Sequence, residues 1–194
     1  WIVSGFASAD AASMTPDDVT LNPFPMVNMA GLGGFMFPWM LNGNTLVLHH
    51  PFDLEVFLGQ IEGEDITYTI APPAVLNMLL KQREALDRID LSRLRAIGSG
   101  GAPLTEWMVG AFQRDYGIHV LNIFGSNEGI CLSSSATDLP DPADRAQYFP
   151  RYGLDGATWS GRVAAMTQTR IVDLDTRQEI STPGESGELE IAGP

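Results

Sequence analysis

Two short segments carry residue types suited to chemistry on a phosphorylated, ring-bearing ligand. The first is Gly98-Ser99-Gly100-Gly101-Ala102-Pro103. Glycine permits positive φ and close approach of a ligand to the backbone. A glycine segment leading into a helix offers free N–H groups to an anion. Its spacing is not the three-glycine dinucleotide fingerprint, because Pro103 stands where the third glycine would be. It is not a Walker A loop either, since that needs a glycine-lysine pair and the chain's single lysine, Lys81, follows Leu80. The second segment is Phe124-Gly125-Ser126-Asn127-Glu128-Gly129. A flat aromatic ring covers one face of a heterocycle. Asn127 can donate to a phosphate oxygen, and Glu128 is a hard oxygen ligand of the kind Mg²⁺ takes alongside substrate phosphates. Each segment alone serves equally well as a turn, with a solvated glutamate in the second. Ser126 does not sit at the centre of a glycine-x-serine-x-glycine elbow. His49, His50 and His119 lack metal-ligand spacing with one another or with Cys131. Cys131, with no histidine near it in sequence, reads as packing rather than nucleophile.

Such segments need a scaffold to aim them. Strands are predicted at Asn44–Leu48, Tyr68–Ile70, Leu94–Ile97 and His119–Ile123, where β-branched and apolar residues cluster. Helices are predicted at Asp53–Gln60 with Asp53 as N-cap, from Pro72-Pro73 to Arg83, and at Leu104–Tyr116 with Thr105 as N-cap. Gly98–Gly101 then reads as a tight loop. The alternation implies an α/β fold, a mixed and largely parallel sheet with helices packed on it. Ligands in such folds sit at the carboxyl ends of the strands, so the two glycine segments open on one edge. Thr137–Trp159, rich in proline, glycine and aspartate, reads as a long surface excursion. Thr169–Leu174 and Gly187–Ile191 read as strands of a small C-terminal β portion, with Pro183-Gly184 as turn chemistry between them. The expected division is an α/β subdomain over 1–135, a surface loop over 136–160 and the start of a β subdomain over 161–194.

Composition narrows the function classes. The chain has 194 residues and a formal net charge of −13. A length of this order fits one domain or a large piece of one, and a start at Trp1 suggests the piece. Hydrophobic residues make up 44%, which argues against disorder. Scarce, scattered lysine and arginine argue against a nucleic-acid surface. A lone cysteine excludes an internal disulfide and fits a reducing cytoplasm. The stretch Val19–Leu48 carries no formal charge, yet its longest run without a polar side chain, Met29–Leu41, falls short of the roughly 20 residues of a membrane span. It reads instead as a buried helix leading into a buried strand at Thr45–Leu48. Its methionines and phenylalanines suit a core and an adaptable apolar pocket alike.

The ordered set Pro25–Gly31, Ala71-Pro72-Pro73, Ser99–Leu104, Phe124–Glu128 and Gly187–Gly193 resembles the adenylate-forming superfamily, its acyl-CoA synthetases in particular. The match runs from about Val19 to Pro194. The resemblance implies that Ser99, Gly100, Gly101, Ala102 and Pro103 lie beside the adenine and the acyl pocket, with Asn122, Phe124 and Gly125 also on the nucleotide. It implies that Phe124 stacks on adenine, that Asn127 contacts the α-phosphate and that Glu128 holds Mg²⁺. Asn28, Met29, Gly31 and Ile130 are implied as acyl-pocket residues. The chain departs from the usual family residues at Phe124 (usually tyrosine), at Asn127 (usually threonine) and at Asn28 (histidine or an aromatic in many relatives).

The implied reaction is ATP-dependent adenylation of an apolar carboxylic acid, followed by thioester formation with coenzyme A. Two alternatives stay open: an aryl or amino-acid adenylating domain that loads a carrier protein, and a nucleotide-binding module without catalysis. The family's phosphate loop is expected before Trp1, and its ribose motif, hinge and catalytic lysine after Pro194. The rest of the same polypeptide would complete the site, and the 194-residue piece alone is expected to be inactive. No nucleic-acid partner and no integral membrane segment are expected.

Overall fold

The computed structural model describes residues 1–128 and 131–194. Its centre is a six-stranded sheet in the order β2-β1-β3-β4-β5-β6. The strands are β1 (Val19–Asn22), β2 (Thr45–Leu48), β3 (Tyr68–Ile70), β4 (Ala96–Gly100), β5 (His119–Gly125) and β6 (Cys131–Ser134). All neighbours pair in parallel except β5 with β6. This is the mixed, largely parallel α/β architecture expected from the strand–helix alternation.

Side chains alternate across the sheet with the two-residue period of a strand, and each face buries its own core. Leu21, Ile97 and Val120 point to one face, where Phe57 and Ile61 of α4 (Leu54–Gly63), Leu76 and Leu79 of α5 (Pro73–Lys81), and Met108 and Phe112 of α7 (Glu106–Tyr116) cover them. The short α6 (Arg83–Leu86) adds Leu86 to this layer. Tyr68, Ile70, Ala96 and Leu121 point to the other face and meet Phe35 and Ala12. That second helical layer comprises α1 (Ile2–Ala11), α2 (Met29–Gly31), a π-helical turn over Leu32–Met36, and α3 (Phe37–Asn42). The two predicted N-caps are made. Asp53 Oδ1 accepts from the Val56 N–H at 3.0 Å, and Thr105 Oγ1 from that of Met108 at 3.3 Å.

The structure corrects several sequence expectations. Gly98-Ser99-Gly100 is not a loop. It is the end of β4, with Gly98 opposite Leu121 and Gly100 opposite Ile123, and the turn falls at Gly101, whose φ is +79°. A parallel neighbour satisfies the glycine backbone, and glycine composition does not register that. β5 likewise runs on through Phe124 and Gly125, because β6 pairs with it. β2 is a sheet edge rather than a buried strand, with Leu48 59% exposed. α1, β1 and β6 lie where the residue pattern suggested no element. The polar stretch 137–159 contains α8 (Pro142–Gln147), and Arg145 on it is fully buried. Its guanidinium donates to the carbonyls of Val120 (2.9 Å), Leu139 (2.7 Å) and Pro140 (3.1 Å), and to Gln113. β7 (Gln168–Val172) and β8 (Glu188–Ala192) form a separate antiparallel pair. A third core of Ala7, Leu132, Tyr152 and Val163 joins the 3₁₀ turn over Arg162–Ala165 to α1 and β6.

The amino-terminal edge of the sheet is held by one carboxylate. Asp18, 5% exposed, accepts from Arg95 Nε (3.1 Å) and Nη2 (2.9 Å), from the Thr67 hydroxyl (2.6 Å) and from the Thr15 N–H (2.7 Å). Arg95 also donates to the carbonyls of Ala12 and Ser13, so the cluster ties α1 to the starts of β1, β3 and β4. Burial disfavours the charged carboxylate, but the hydrogen bonds from Arg95 and Thr67 outweigh it and hold Asp18 below the usual carboxylate range. A depressed folded pKa contributes stability above the unfolded value, about 3.9, and that contribution is lost as pH falls through the folded value. Asp18→Asn is therefore expected to cost about 2 kcal/mol at pH 7. The gap between variant and parent should shrink below about pH 4. Urea denaturation of both proteins at pH 7 and pH 3 reads this; an equal gap at the two values contradicts it.

Candidate functional site

A cavity of about 350 Å³ opens between the carboxyl ends of β3, β4 and β5 and the second helical layer. Ile70, Ala71 and Pro72 supply one wall at the end of β3. The backbone of Gly100 and Gly101, with Ile123, supplies the floor and one rim. Met29, Ala30, Gly33 and Gly34 close it from the helical side, with Ser8 of α1 and Cys131 of β6 at the inner end. Gly125, Ser126 and Asn127 complete the other rim. The lining is mainly apolar with a few polar groups, as small-molecule sites commonly are.

Missing side chains let the cavity's walls come together. A Cβ on Gly100 would lie 1.9 Å from the Ile123 carbonyl oxygen, and one on Gly34 would lie 2.9 Å from the δ-methyl of Ile70. The helical layer can therefore sit close over the strand ends. The start of α2 is fixed by two asparagines. Asn28 caps it, its Oδ1 accepting from the Gly31 N–H at 3.0 Å. Asn127 Oδ1 accepts from the Met29 N–H at 3.0 Å. That bond uses the amide oxygen of Asn127, so the amide nitrogen takes no part in fixing α2.

The expected site residues fall into three groups. Gly100, Gly101, Asn28, Met29, Gly125 and Asn127 line the cavity together. Ser99, Asn122 and Gly31 lie outside its lining. Ser99 is fully buried and donates to the Ala71 carbonyl at 2.8 Å, tying β4 to β3. Asn122 donates to the Ala146 carbonyl at 2.9 Å on the α8 side. Gly31 packs so tightly that a Cβ there would lie 2.2 Å from the Pro25 carbonyl oxygen. Ala102 and Pro103 are exposed beside the rim. Ile130 lies outside the described residues. Phe124 is 45% exposed, its ring edge-on to Phe149 with centroids 6.3 Å apart.

Glu128 is exposed and lines an adjoining cavity of about 260 Å³ with Trp1, Ser4, Thr167 and Gly193. Cys131 lines both cavities. A hydrogen bond from the Ser126 hydroxyl, and then its own backbone N–H, lowers the Glu128 pKa, so the carboxylate is ionised at neutral pH. Burial pushes the Cys131 thiol up, which keeps it neutral. Among the described residues no group of three or more histidine, cysteine, aspartate or glutamate side chains converges. A lone ionised carboxylate facing solvent still suits Mg²⁺, which takes one or two carboxylates and draws its other ligands from water and phosphate. Residue spacing did not single out Ser8, Ile70, Ile123 or Cys131 as site residues. Ile70 and Ile123 carried a signal as the last apolar residues of predicted strands, whereas Ser8 carried none.

No helix among the described residues is long and apolar enough to cross a membrane. The AMP-binding enzyme family matches residues 2–194. Indoleacetate–CoA ligase of Aromatoleum aromaticum is 31% identical over 187 residues, covering 96% of this chain and 34% of that protein. The 4-coumarate–CoA ligase-like 6 protein of Oryza sativa subsp. japonica is 33% identical over 180 residues, covering 92% of this chain and 28% of that protein. The chain thus spans about a third of the length of the curated relatives it matches. A long-chain-fatty-acid-CoA ligase structure from Archaeoglobus fulgidus shares the fold with a TM-score of 0.75 at 20% identity, over 98% of this chain and 37% of that one. The apo structure of MbtA from Mycobacterium smegmatis does so with a TM-score of 0.76 at 23% identity, over 100% of this chain and 33% of that one. By the match along nearly its whole length, the chain belongs to the AMP-binding enzyme family, the adenylate-forming enzymes.

Proposed function

We propose that the protein carrying this chain is an AMP-forming acyl-CoA ligase. It activates an apolar carboxylic acid with ATP and passes the acyl group to coenzyme A. The observation that carries this reading is the joining of two unlike environments at one sheet edge. The mainly apolar cavity over Gly100 and Ile123 is contiguous with the polar rim Gly125–Asn127 and the ionised Glu128 beside it.

The substrate's carboxylate oxygen attacks the α-phosphorus of ATP, and the bond to the bridging oxygen breaks to release pyrophosphate. The thiol of coenzyme A then attacks the acyl carbonyl carbon, and AMP leaves. The chain's own residues divide this work. The exposed ring of Phe124 offers a stacking face to adenine, and the backbone at Gly100 and Gly101 gives its polar edge close approach. The Asn127 amide, held by Met29, donates to the α-phosphate where charge develops. Glu128 would hold Mg²⁺, which when bound offsets negative charge on the phosphates. The apolar wall of Met29, Gly33, Gly34 and Ile70 takes the acyl group and keeps water from it. Remaining phosphate and ribose contacts are assigned to the rest of the polypeptide.

In the full-length protein, Glu128→Ala is expected to lower acid-dependent pyrophosphate exchange by about 10²-fold or more. Its thermal midpoint should be unchanged, because the side chain is exposed. Normal exchange in that variant would remove Glu128 from the chemistry. Asn127→Thr keeps a donor but loses the bond to Met29. It is expected to retain more exchange activity than Asn127→Ala, and KM for the acid should rise in both. Equal activity of the two variants in the same assay would show that the donor does not matter.

A further inference from the structure

The inner end of the apolar cavity is polar in a way that an all-hydrocarbon ligand leaves unused. Tyr68 is fully buried, and its hydroxyl has no hydrogen-bond partner among the described residues. Buried hydroxyls are normally paired, so an orphan next to a ligand cavity points to a partner brought by the ligand. The hydroxyl's position is defined by Gly98. A Cβ built there would lie 2.6 Å from Tyr68 Oη, 2.5 Å from the δ-methyl of Ile123 and 2.9 Å from Cγ1 of Ile70. Tyr68 and Ile70 share a sheet face, and the phenol leans along β3 toward the strand ends into the notch that Gly98 leaves open. Ile70 and Ile123 line the cavity and share the Gly98 notch with the hydroxyl, which therefore lies behind this part of the cavity wall. A ligand group reaches the hydroxyl by turning the Ile123 δ-methyl aside, a movement the proposal requires. The Ser8 hydroxyl and the Cys131 thiol, which bond to one another, stand at the same inner end.

We propose that Tyr68, with Ser8 and Cys131 beside it, forms a polar subsite. It selects an acid bearing a hydroxyl or similar hydrogen-bonding group at the end remote from its carboxylate. This deepens the acyl-ligase reading and rests on it. Size limits the class. A cavity of about 150 Å³ holds benzene, so about 350 Å³ takes one ring on a short carboxylate arm rather than a long alkyl chain.

The test uses the full-length protein with 3-(4-hydroxyphenyl)propanoate and 3-phenylpropanoate. Pyrophosphate release and acid binding by calorimetry are measured for the parent and for Tyr68→Phe. The parent is expected to favour the hydroxylated acid by about tenfold or more in kcat/KM and in affinity, as sites built to pair a substrate hydroxyl do. Tyr68→Phe is expected to cut that preference to about twofold or less, through loss on the hydroxylated acid alone. The variant deletes only an unpartnered atom, so its thermal midpoint is expected to hold or rise. Equal use of the two acids by the parent, or a preference that survives in Tyr68→Phe, overturns the subsite and leaves the hydroxyl to a bound water. If the hydroxylated acid binds selectively through Tyr68 but releases no pyrophosphate, the subsite stands and the ligase reading fails. If neither acid binds, the subsite is overturned.

Discussion

The structure depends on β4 ending without side chains on one face. Gly98 and Gly100 both project toward the second helical layer. At Gly100 the Ile123 carbonyl oxygen occupies the space a Cβ would need, and at Gly98 the Tyr68 hydroxyl and the Ile123 δ-methyl do. No rotamer change relieves a clash with backbone, so at Gly100 the constraint is absolute. Its consequences are geometric. β5 can lie close enough to continue to Gly125, Phe124 is carried to the rim at its end, and the β5–β6 pairing brings Cys131 under the cavity. Gly33 and Gly34 repeat the device on the facing wall, where a π-helical turn bends the layer over the strand ends. π-bulges are frequent at functional sites because they re-aim a helix face without ending it.

Ion pairing and packing are distributed so that this edge stays open. The charged network of Asp18 and Arg95 lies at the opposite edge, where it joins α1, β1, β3 and β4. Arg145 does comparable work behind β5, where its buried guanidinium pairs the carbonyl of buried Val120 and those of Leu139 and Pro140 in the turn before α8. Neither cluster faces the cavity. The rim groups Phe124 and Glu128 are exposed and Asn127 makes a single tether, so ligand contacts do not compete with the interactions that hold the sheet. A net charge of −13 is compatible with a nucleotide site for the same reason.

How much could be read from the residues depends on how local each signal is. Asp53 and Thr105 announced their helices because a cap is decided within three residues. The strand–helix alternation gave the parallel sheet and placed both glycine segments on one edge. Gly98–Gly100 was misread because its pairing partners lie on β5, beyond any local window, and glycine alone favours a turn. Arg145 was hidden in a proline- and aspartate-rich stretch, where composition signals solvent and the partners that bury the guanidinium, Val120 and Gln113, are distant in sequence. Of the candidate site, the residues that contribute backbone or rim groups were legible by motif. The cavity's inner end was not, since Ser8 and Cys131 meet only through the fold.

Asn127 shows how one side chain links the two halves of the site. Its amide oxygen is tied to the first N–H of α2, the segment that walls the cavity, and Asn127 itself belongs to the rim. A threonine at this position has one oxygen to serve both directions, and its shorter side chain reaches less far toward α2. With asparagine the two duties fall on two atoms of one rigid plane. The orientation of the amide plane is thereby coupled to the position of Met29. The adjacent Asn28 cap opposes displacement of α2 by pinning Gly31, whose own lack of a side chain lets the turn close against the Pro25 carbonyl. Two asparagines and one glycine thus set the spacing between the helical wall of the cavity and its polar rim. In the proposed ligase reaction that spacing would govern how the acid approaches the α-phosphate, and reaction rates fall steeply with misplacement of the reacting atoms.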